Sequence, residues 1–525
     1  MRIFSFSILI CILLSACDID ENPSYPILTN STMVTEVNFT GSTQNVTLMD
    51  LYNNNIFLVK INTSAENVDM TLTGGAVSPI PFANKLPELK INTISLITGH
   101  PGATLFQANP QFIPNNTILS RSPTYLASSN TVGDKYSFWV ETVLNSNNFI
   151  QREAILQAIG EHCKVWVMPN TDYTKTITRT QAQTLAQKFD IIYPAATNLL
   201  GYEFGGGPDG IGGRDGDPKI HILVYDIGKE YGGYFHPKDY YTQEQLNISN
   251  NHNLMTNNAE IFYIGAEQAN ENPDFTYSSL IHEFQHMINW NVKTIKKDLE
   301  ADTWYNEMLS IMAEDVMSSL IGIATSSNGH VQQIRMPLFL ACYFLTGITE
   351  WEQVPLNLSY SYKYAYGAYL LRNYGGAAIL KEIISNNFVN EASITAALGN
   401  AYNNNINFQY TLKRFGEALL YTRPLPDGVM SFDKTVSNTI NGITYTINGF
   451  NIWNYKNINS DTIYDINYYF NSKGPFIISL DYWSKMPRHA IALFSHESWL
   501  NVTGNVLITL EKPADPNIKF IIMVK

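Results

Sequence analysis

Residues 277–290 constrain this chain more than any other segment, because they place two histidines four residues apart in an apolar run, YSSLIHEFQHMINW. Apolar residues recur there at helical spacing and predict a buried stripe of Leu280, Phe284, Met287 and Ile288. On a helix, His282 and His286 lie on one face about 6 Å apart along the axis. Two imidazole nitrogens at that spacing can bind one metal ion, and zinc is the usual one.

Glu283 follows the first histidine and points toward the same rim of the predicted helix. It lies too far round the helix to bind the ion comfortably, but it can reach a water molecule beside the ion. That is the position of a general base. The alternative interpretation is a solvated helix face on which two histidines flank a charge.

A candidate third ligand lies in a second predicted helix, residues 303–315, which reads TWYNEMLSIMAED. Helical periodicity places Glu307, Ser310 and Glu314 along one stripe. Twenty residues separate His286 from Glu307, which is enough for a loop and a return helix packed alongside. Three protein ligands with one open position are what a catalytic zinc site requires.

The paired motifs HEFQHMINW and WYNEMLSIMAED resemble the gluzincin metallopeptidases, and most closely the hyicolysin-type peptidases. The resemblance extends upstream from KIHILVYDI through GGYFHPKD to AEIFYIGA and downstream to YGAYLLRNYGG, covering roughly residues 136–376. It implies a zinc peptidase that acts on proteins or peptides. It also implies that His282 and His286 are zinc ligands, Glu283 the catalytic acid and base, and Glu307 the third ligand.

Other metallopeptidase patterns can be tested by position. A metzincin needs Gly and His where this chain has Asn289 and Val292, so that class is excluded. Enzymes similar to aminopeptidase N share the Asn-Glu helix and a second Glu that matches Glu314. Their Gly-x-Met-Glu-Asn motif for the substrate amine is missing before His282. The sequence therefore favours endopeptidase cleavage over N-terminal trimming.

Two further roles are predicted around the zinc motifs. Glu314 is expected to orient a ligating histidine, since such imidazoles usually donate their other N–H to a carboxylate or carbonyl; a surface glutamate is the alternative. Five tyrosines crowd residues 360–369, and Tyr364 or Tyr366 is expected to stabilise the oxyanion by resemblance to the aminopeptidase segment. Packing is the alternative for both. The segment 258–266 is predicted to be a strand that receives substrate by β-augmentation.

A glycine-rich segment at residues 204–217 reads as a loop and lacks the Gly-Lys-Ser/Thr ending of a phosphate-binding loop. Its carboxylates Asp209, Asp215 and Asp217 could gather a calcium ion, although their spacing fits no standard calcium loop. A solvated turn is the alternative interpretation.

The chain organisation predicts an α+β, multidomain protein with a gluzincin-like zinc peptidase domain whose second half is mainly helical. Periodicity and turn residues place a signal peptide at 1–16, a tether at 17–30, an N-terminal β domain at 31–135, the peptidase domain at 136–425 and a C-terminal β domain at 426–525. Inside the peptidase domain, helical spacing is expected for residues 149–159 and for residues 181–189.

The N-terminus carries Arg2, an apolar run at residues 3–14 and then Leu-Ser-Ala before Cys17, which resembles a bacterial lipoprotein lipobox. Cleavage before Cys17 would leave that cysteine lipidated and the protein anchored to a membrane at the cell envelope or exposed on the cell surface. An uncleaved signal anchor is the alternative. Cys163 and Cys342 lie in apolar settings and are expected to be buried thiols, with one disulfide as the alternative.

A formal charge of −13, from 33 Lys and Arg against 46 Asp and Glu, excludes a broadly basic surface for nucleic acid. Two classes of function remain as alternatives. One is a lipid-anchored zinc endopeptidase, and the other is a non-catalytic surface lipoprotein that binds host or envelope components.

Overall fold

The computed structural model describes residues 27–28, 34–76, 130–144, 146, 148–208, 210, 212–248, 253–351, 356–403, 405–422, 428–455, 473–478 and 485–525. The predicted signal peptide, Cys17 and Asp209 lie outside the described residues, as do most of the predicted tether and half of the predicted N-terminal β domain.

Eighteen strands are found in the described residues. They are β1 (Ile27–Leu28), β2 (Val34–Glu36), β3 (Thr43–Asn54), β4 (Ile56–Asn62), β5 (Val68–Asp69), β6 (Gly75–Ala76), β7 (Lys135–Glu141), β8 (Phe149–Ile159), β9 (Cys163–Val167), β10 (Ile220–Tyr225), β11 (Gly233–Phe235), β12 (Ile261–Gly265), β13 (Val436–Ile440), β14 (Ile443–Ile447), β15 (Lys485–Met486), β16 (Ile491–Phe494), β17 (Val502–Glu511) and β18 (Ile518–Val524).

Ten α-helices are found in the described residues. They are α1 (Arg179–Leu200), α2 (Gln243–Ile248), α3 (Ala266–Glu271), α4 (Pro273–Asn289), α5 (Thr303–Met317), α6 (Val331–Cys342), α7 (Leu356–Asn373), α8 (Ala377–Ser385), α9 (Asn390–Ala401) and α10 (Phe408–Leu420). The prediction of an α+β protein whose peptidase region becomes mainly helical agrees with this order.

A six-stranded sheet forms the base of the central region, in the order β11-β12-β10-β9-β8-β7. Strands β9, β10 and β12 are parallel, whereas β7, β8 and β11 run antiparallel to their neighbours. Helices α1 and α4 pack on this sheet. Every residue of β9, β10 and β12 is buried, as expected for strands that are covered on both faces.

Residues 149–159 correct one prediction, because they form strand β8 rather than a helix. Ala154, Leu156 and Ala158 alternate with more exposed neighbours, and this period of two places them on the buried face of the sheet. A short apolar run fits both the helical period of 3.6 and the strand period of two. Here the pairing with β7 and β9 stabilises the strand. The helix predicted at residues 181–189 is confirmed as part of α1.

The two ends of the chain are joined in shared sheets, which corrects the prediction of separate N-terminal and C-terminal β domains. Strand β17 pairs with β3 along most of its length, in a sheet of order β1-β3-β17-β6. Strand β18 pairs with β4 and β2, in a sheet of order β16-β4-β18-β2. Each end thus supplies strands that the other needs to complete its sheets.

The cysteines agree with the prediction of buried thiols. Cys163 and Cys342 are buried and form no disulfide, and burial raises the pKa of the Cys163 thiol well above its usual value. Among the described helices, none is long and apolar enough to cross a membrane.

Candidate metal centre

Helix α4 carries the two histidines and is buried on almost its whole circumference. Pro273 occupies its first turn, where a missing backbone N–H costs nothing. Its neighbours are the sheet on one side and α5 on the other. Strand β11 approaches it closely at Gly233, where an added Cβ would lie 3.3 Å from the Cγ atom of Glu283 and 2.6 Å from the carbonyl oxygen of Tyr263.

Helix α5 lies antiparallel to α4, so residues near the end of one face residues near the start of the other. Asn289 donates a hydrogen bond through Nδ2 to Oδ1 of Asn306 at 2.9 Å, which ties the end of α4 to the start of α5. Glu307 follows directly on α5, and Glu314 lies two turns later. The return helix predicted from the spacing is therefore present.

Three side chains from these helices converge, and we call His282, His286 and Glu307 the metal cluster. Among the described residues, they form the one group of three or more His, Cys, Asp or Glu side chains whose ligand atoms all lie within 4.8 Å of one another. Oε2 of Glu307 is 3.0 Å from Nε2 of His282, and Oε1 is 3.4 Å from Nε2 of His286. Both imidazoles thus turn the same ring nitrogen toward one carboxylate.

The outer nitrogen of His282 meets a carboxylate. Nδ1 of His282 lies 2.7 Å from Oε1 of Glu314, and the hydroxyl of Ser278 donates to Oε2 of Glu314 at 2.6 Å. With the proton on Nδ1, Nε2 is left as a lone-pair donor toward the centre of the cluster. The orienting role predicted for Glu314 therefore has the required geometry.

The outer nitrogen of His286 meets a hydroxyl group instead. Oγ of Ser310 is 3.1 Å from Nδ1 of His286, and the same hydroxyl donates to Oε1 of Gln285. Both Ser310 and Gln285 are fully buried. The sequence stripe contains Ser310, but nothing in it signals that this hydroxyl contacts the second histidine.

The electrostatics of the metal cluster suit a cation. Burial opposes the imidazolium form of His282, but its hydrogen bonds to Glu307 and Glu314 and the nearby charge of Glu283 raise its pKa to about 10. Burial likewise opposes the carboxylate of Glu307, but the two imidazoles hold its pKa well below the usual value. The site favours positive charge at its centre and negative charge around it. Two imidazole nitrogens and one carboxylate are a donor set that fits zinc.

Tyr360 is the tyrosine that reaches the metal cluster. Its phenol hydrogen-bonds the carboxylate of Glu307. Burial, and then the charges of Glu307 and Glu283, raise its pKa well above the usual value. Its ring centroid lies 6.3 Å from that of His282 and 5.0 Å from that of Trp351.

Tyr366 has its hydrogen-bond partner away from the metal cluster, whereas the role expected of Tyr364 stays a prediction. The hydroxyl of Tyr366 lies 2.7 Å from Oγ1 of Thr411, in a packed aromatic region. Tyr364 is one helical turn beyond Tyr360 and faces the charges of Asp315 and Arg372. Both are buried, in keeping with the packing alternative.

A glycine on α7 marks the face that packs against α5. A Cβ at Gly367 would lie 2.6 Å from the Cγ atom of Met312, so α7 approaches α5 most closely where it has no side chain. Tyr360 precedes Gly367 by two turns and shares its face. The helix face that contacts α5 is therefore the one that carries Tyr360 and Tyr364, and of these two Tyr360 hydrogen-bonds Glu307.

Two aspartates of the glycine-rich loop join side chains of β9 and β10 in a different buried group. We call this group the loop cluster, and its members are Lys164, Trp166, Asp215, Asp217 and His221. Nε2 of His221 lies 2.9 Å from Oδ2 of Asp215, and its Nδ1 accepts a hydrogen bond from Nε1 of Trp166 at 3.0 Å. Asp217 forms an ion pair with Lys164. The carboxylates of Asp215 and Asp217 have partners within the protein, and among the described residues they are not part of a group with the spacing of a metal site, so the predicted calcium site is not supported.

The strand expected to receive substrate is an interior strand of the sheet, which corrects that prediction. Strand β12, within the segment 258–266, has β10 on one side and β11 on the other. It therefore has no free edge. Strand β11 is the terminal strand of the sheet as described, and it lies beside Glu283.

Comparison with known proteins agrees with this geometry. The sequence model of the family described as peptidase M30 matches residues 154–435, which include both helices of the metal cluster. The neutral metalloprotease ShpI of Staphylococcus hyicus is 28% identical over 337 residues, covering 59% of this chain and 67% of that protein. Both findings favour the enzyme over the non-catalytic alternative. The chain belongs to the peptidase M30, or hyicolysin, family and is a metalloprotease.

Proposed function

We propose that this metalloprotease is a zinc endopeptidase whose metal ligands are His282, His286 and Glu307. The observation that carries the proposal is the convergence of their ligand atoms within 4.8 Å, beside the buried carboxylate of Glu283. The imidazoles present Nε2 to the centre, and Glu314 receives the outer N–H of His282. The three ligands leave one coordination position for reactants, as catalytic zinc requires.

Zinc bound by these residues would supply a Lewis acid that lowers the pKa of water toward about 7 and polarises the substrate carbonyl. Glu283 then takes a proton from the attacking water and passes it to the leaving amide nitrogen. The Tyr360 hydroxyl donates a hydrogen bond to the carbonyl oxygen as negative charge develops on it. In this proposal, Tyr360 has the oxyanion-stabilising role that was predicted for Tyr364 or Tyr366.

An extended polypeptide substrate is placed, in this proposal, along the outer side of β11, which is the terminal strand of the sheet as described. A peptide that pairs with this edge passes Glu283, because Gly233 lets the strand backbone approach that side chain. Main-chain hydrogen bonds hold such a peptide without requiring a free amino terminus. Cleavage within proteins and longer peptides follows from this geometry.

The site of action is part of the proposal and rests on the N-terminal sequence. Arg2, the apolar run at residues 3–14 and the small residues before Cys17 support export and lipidation of the cysteine. The enzyme would then act at the cell envelope or outside the cell, held to a membrane by its lipid.

Metal analysis combined with casein cleavage tests the proposal. Zinc-loaded wild-type protein is expected to cleave casein, and Glu283→Gln is expected to bind the same amount of zinc with activity lowered by about a thousandfold or more. Asp217→Asn, in the loop cluster, is a control whose zinc content and turnover per folded molecule are expected to match the wild type. A zinc-loaded wild type that cleaves none of several unfolded proteins would contradict the proposal.

A further inference from the structure

A buried arginine lies against the tyrosine of the proposed active site. Arg335, on α6, is 3% exposed, and its guanidinium carbon lies 4.8 Å from the ring centroid of Tyr360 on α7. A cation over an aromatic face is attracted to it, more strongly when both are shielded from water. The two side chains therefore fix each other at the contact between α6 and α7.

The arginine also faces the carboxylates of the site. Its charge acts on Glu314 and Glu307 as well as on Tyr360. Glu283, Glu307 and Glu314 bring three negative charges into a region sheltered from solvent. A divalent cation and one guanidinium supply three positive charges, so Arg335 is the group that completes the charge balance.

The buried cationic side chains on α7 have hydrogen-bond partners away from the metal cluster. Arg372 forms a bidentate pair with Asp315, at 2.6 Å and 3.2 Å. Lys363 donates to the carbonyl oxygens of Gly347 and Glu350. Arg335 is thus distinguished by its place between the Tyr360 ring and the carboxylates of the metal site.

We propose that Arg335 is a positioning residue, one that holds Tyr360 toward the substrate carbonyl and strengthens its hydroxyl as a hydrogen-bond donor. The inference rests on the proposed function and adds a residue to it. A positive charge near the phenol makes its O–H a stronger hydrogen-bond donor to the developing oxyanion. The same charge repels a zinc ion bound nearby and so weakens zinc binding.

These two effects have opposite signs, which separates the proposal from a purely structural role. Without the guanidinium, the three carboxylates attract zinc more strongly, so the zinc dissociation constant falls. At the same time Tyr360 loses its support, so kcat falls. A residue that only fills space would weaken both zinc binding and turnover when removed, because the metal cluster itself would loosen.

The test measures zinc affinity by chelator competition, together with kcat, KM and thermal unfolding of the metal-free protein. Arg335→Met is expected to lower kcat about tenfold, to leave KM within about twofold and to tighten zinc binding about tenfold. Arg335→Lys keeps the charge and is expected to retain wild-type zinc affinity with an intermediate kcat. It also serves if the methionine variant folds poorly.

Two further variants complete the design. In a Tyr360→Phe background, Arg335→Met is expected to lower kcat no further, because the arginine acts through the tyrosine. Arg414→Met is the matched control, since Arg414 lies over the Tyr410 ring on α10 and pairs with Glu417. Its kcat and zinc affinity are expected to match the wild type.

An unchanged kcat in Arg335→Met, or a fall in kcat accompanied by weaker zinc binding, would overturn the role assigned to Arg335. Additive losses in the double variant would overturn it as well. An inactive zinc-loaded wild type would overturn the proposed function itself, and the zinc affinities would still report on the charge of Arg335.

Discussion

Two buried groups of histidine and carboxylate residues lie in this protein, and their pairing differs. In the loop cluster, His221 has a carboxylate on one ring nitrogen and the Trp166 N–H on the other, so the neutral imidazole is satisfied by the protein alone. The aspartate beside it is paired with a lysine. In the metal cluster, both rings turn a nitrogen toward one carboxylate, and further carboxylates surround them.

The difference shows what makes a metal site in this chain. Residue types and burial are alike in the two clusters, but the loop cluster balances two carboxylates with a lysine and a histidine N–H, whereas the metal cluster surrounds its converging ligand atoms with three carboxylates. Burying charge without compensation costs several kcal/mol, so such a centre favours a cation. Convergence of the ligand atoms and a larger excess of negative charge, more than the presence of His and Asp or Glu, distinguish the metal cluster from the loop cluster.

The largest expected effect comes from removing the shared carboxylate. Glu307→Gln keeps the shape of the side chain but removes the charge that both imidazoles face. It is expected to lose stoichiometric zinc and to lower kcat/KM by about a thousandfold or more. Metal analysis after dialysis, alongside peptide cleavage, measures both. A variant that kept zinc and activity would show that another residue completes the site.

The loop cluster should respond in stability rather than in metal content. Asp217→Asn leaves the buried ammonium of Lys164 without its ion pair, which is expected to cost about 3 kcal/mol of unfolding free energy. Urea unfolding of the zinc-loaded protein measures it, and zinc stoichiometry is expected to stay at one per chain. Loss of a metal ion in this variant would mean that the loop binds one after all.

A smaller effect on zinc binding is expected at Ser310, whose hydroxyl contacts Nδ1 of His286. Ser310→Ala removes the hydroxyl that contacts this imidazole and is expected to weaken zinc binding about 10- to 100-fold. Ser310→Thr keeps a hydroxyl and is expected to recover most of the affinity. Ser318→Ala is the control, because that buried hydroxyl donates to a backbone carbonyl at the end of the same helix. Equal affinities in all three variants would remove Ser310 from the site.

The smallest expected effect is the pH dependence of zinc binding. The pKa of His282 is raised to about 10 in the metal-free site by its carboxylate partners, against burial. In the metal-free protein, the resulting stabilisation is complete below about pH 6.5 and is lost as pH rises through 10. Zinc needs the neutral ring, so its dissociation constant is expected to fall by up to about tenfold from about pH 7 to 8. Chelator competition at three pH values checks this, and a flat profile would contradict it.

The sequence predicts the two metal helices well, because helical spacing places His282, His286 and Glu307 through contacts that are local in the chain or need only a short return. Tyr360 was not singled out, since its choice depends on how α7 packs on α5 near Gly367. Strand β8 was misread because a short apolar run fits two periods. The shared terminal sheets depend on pairing between strands about 450 residues apart, which no local pattern encodes.

The central claim is that the metal cluster, and not the loop cluster, binds the catalytic ion. An anomalous difference map of zinc-loaded crystals, recorded at the zinc absorption edge, tests it most directly. We expect one strong peak within about 2.0–2.2 Å of Nε2 of His282, Nε2 of His286 and a carboxylate oxygen of Glu307. A peak at Asp215 and Asp217, or none between the two imidazoles, would contradict it.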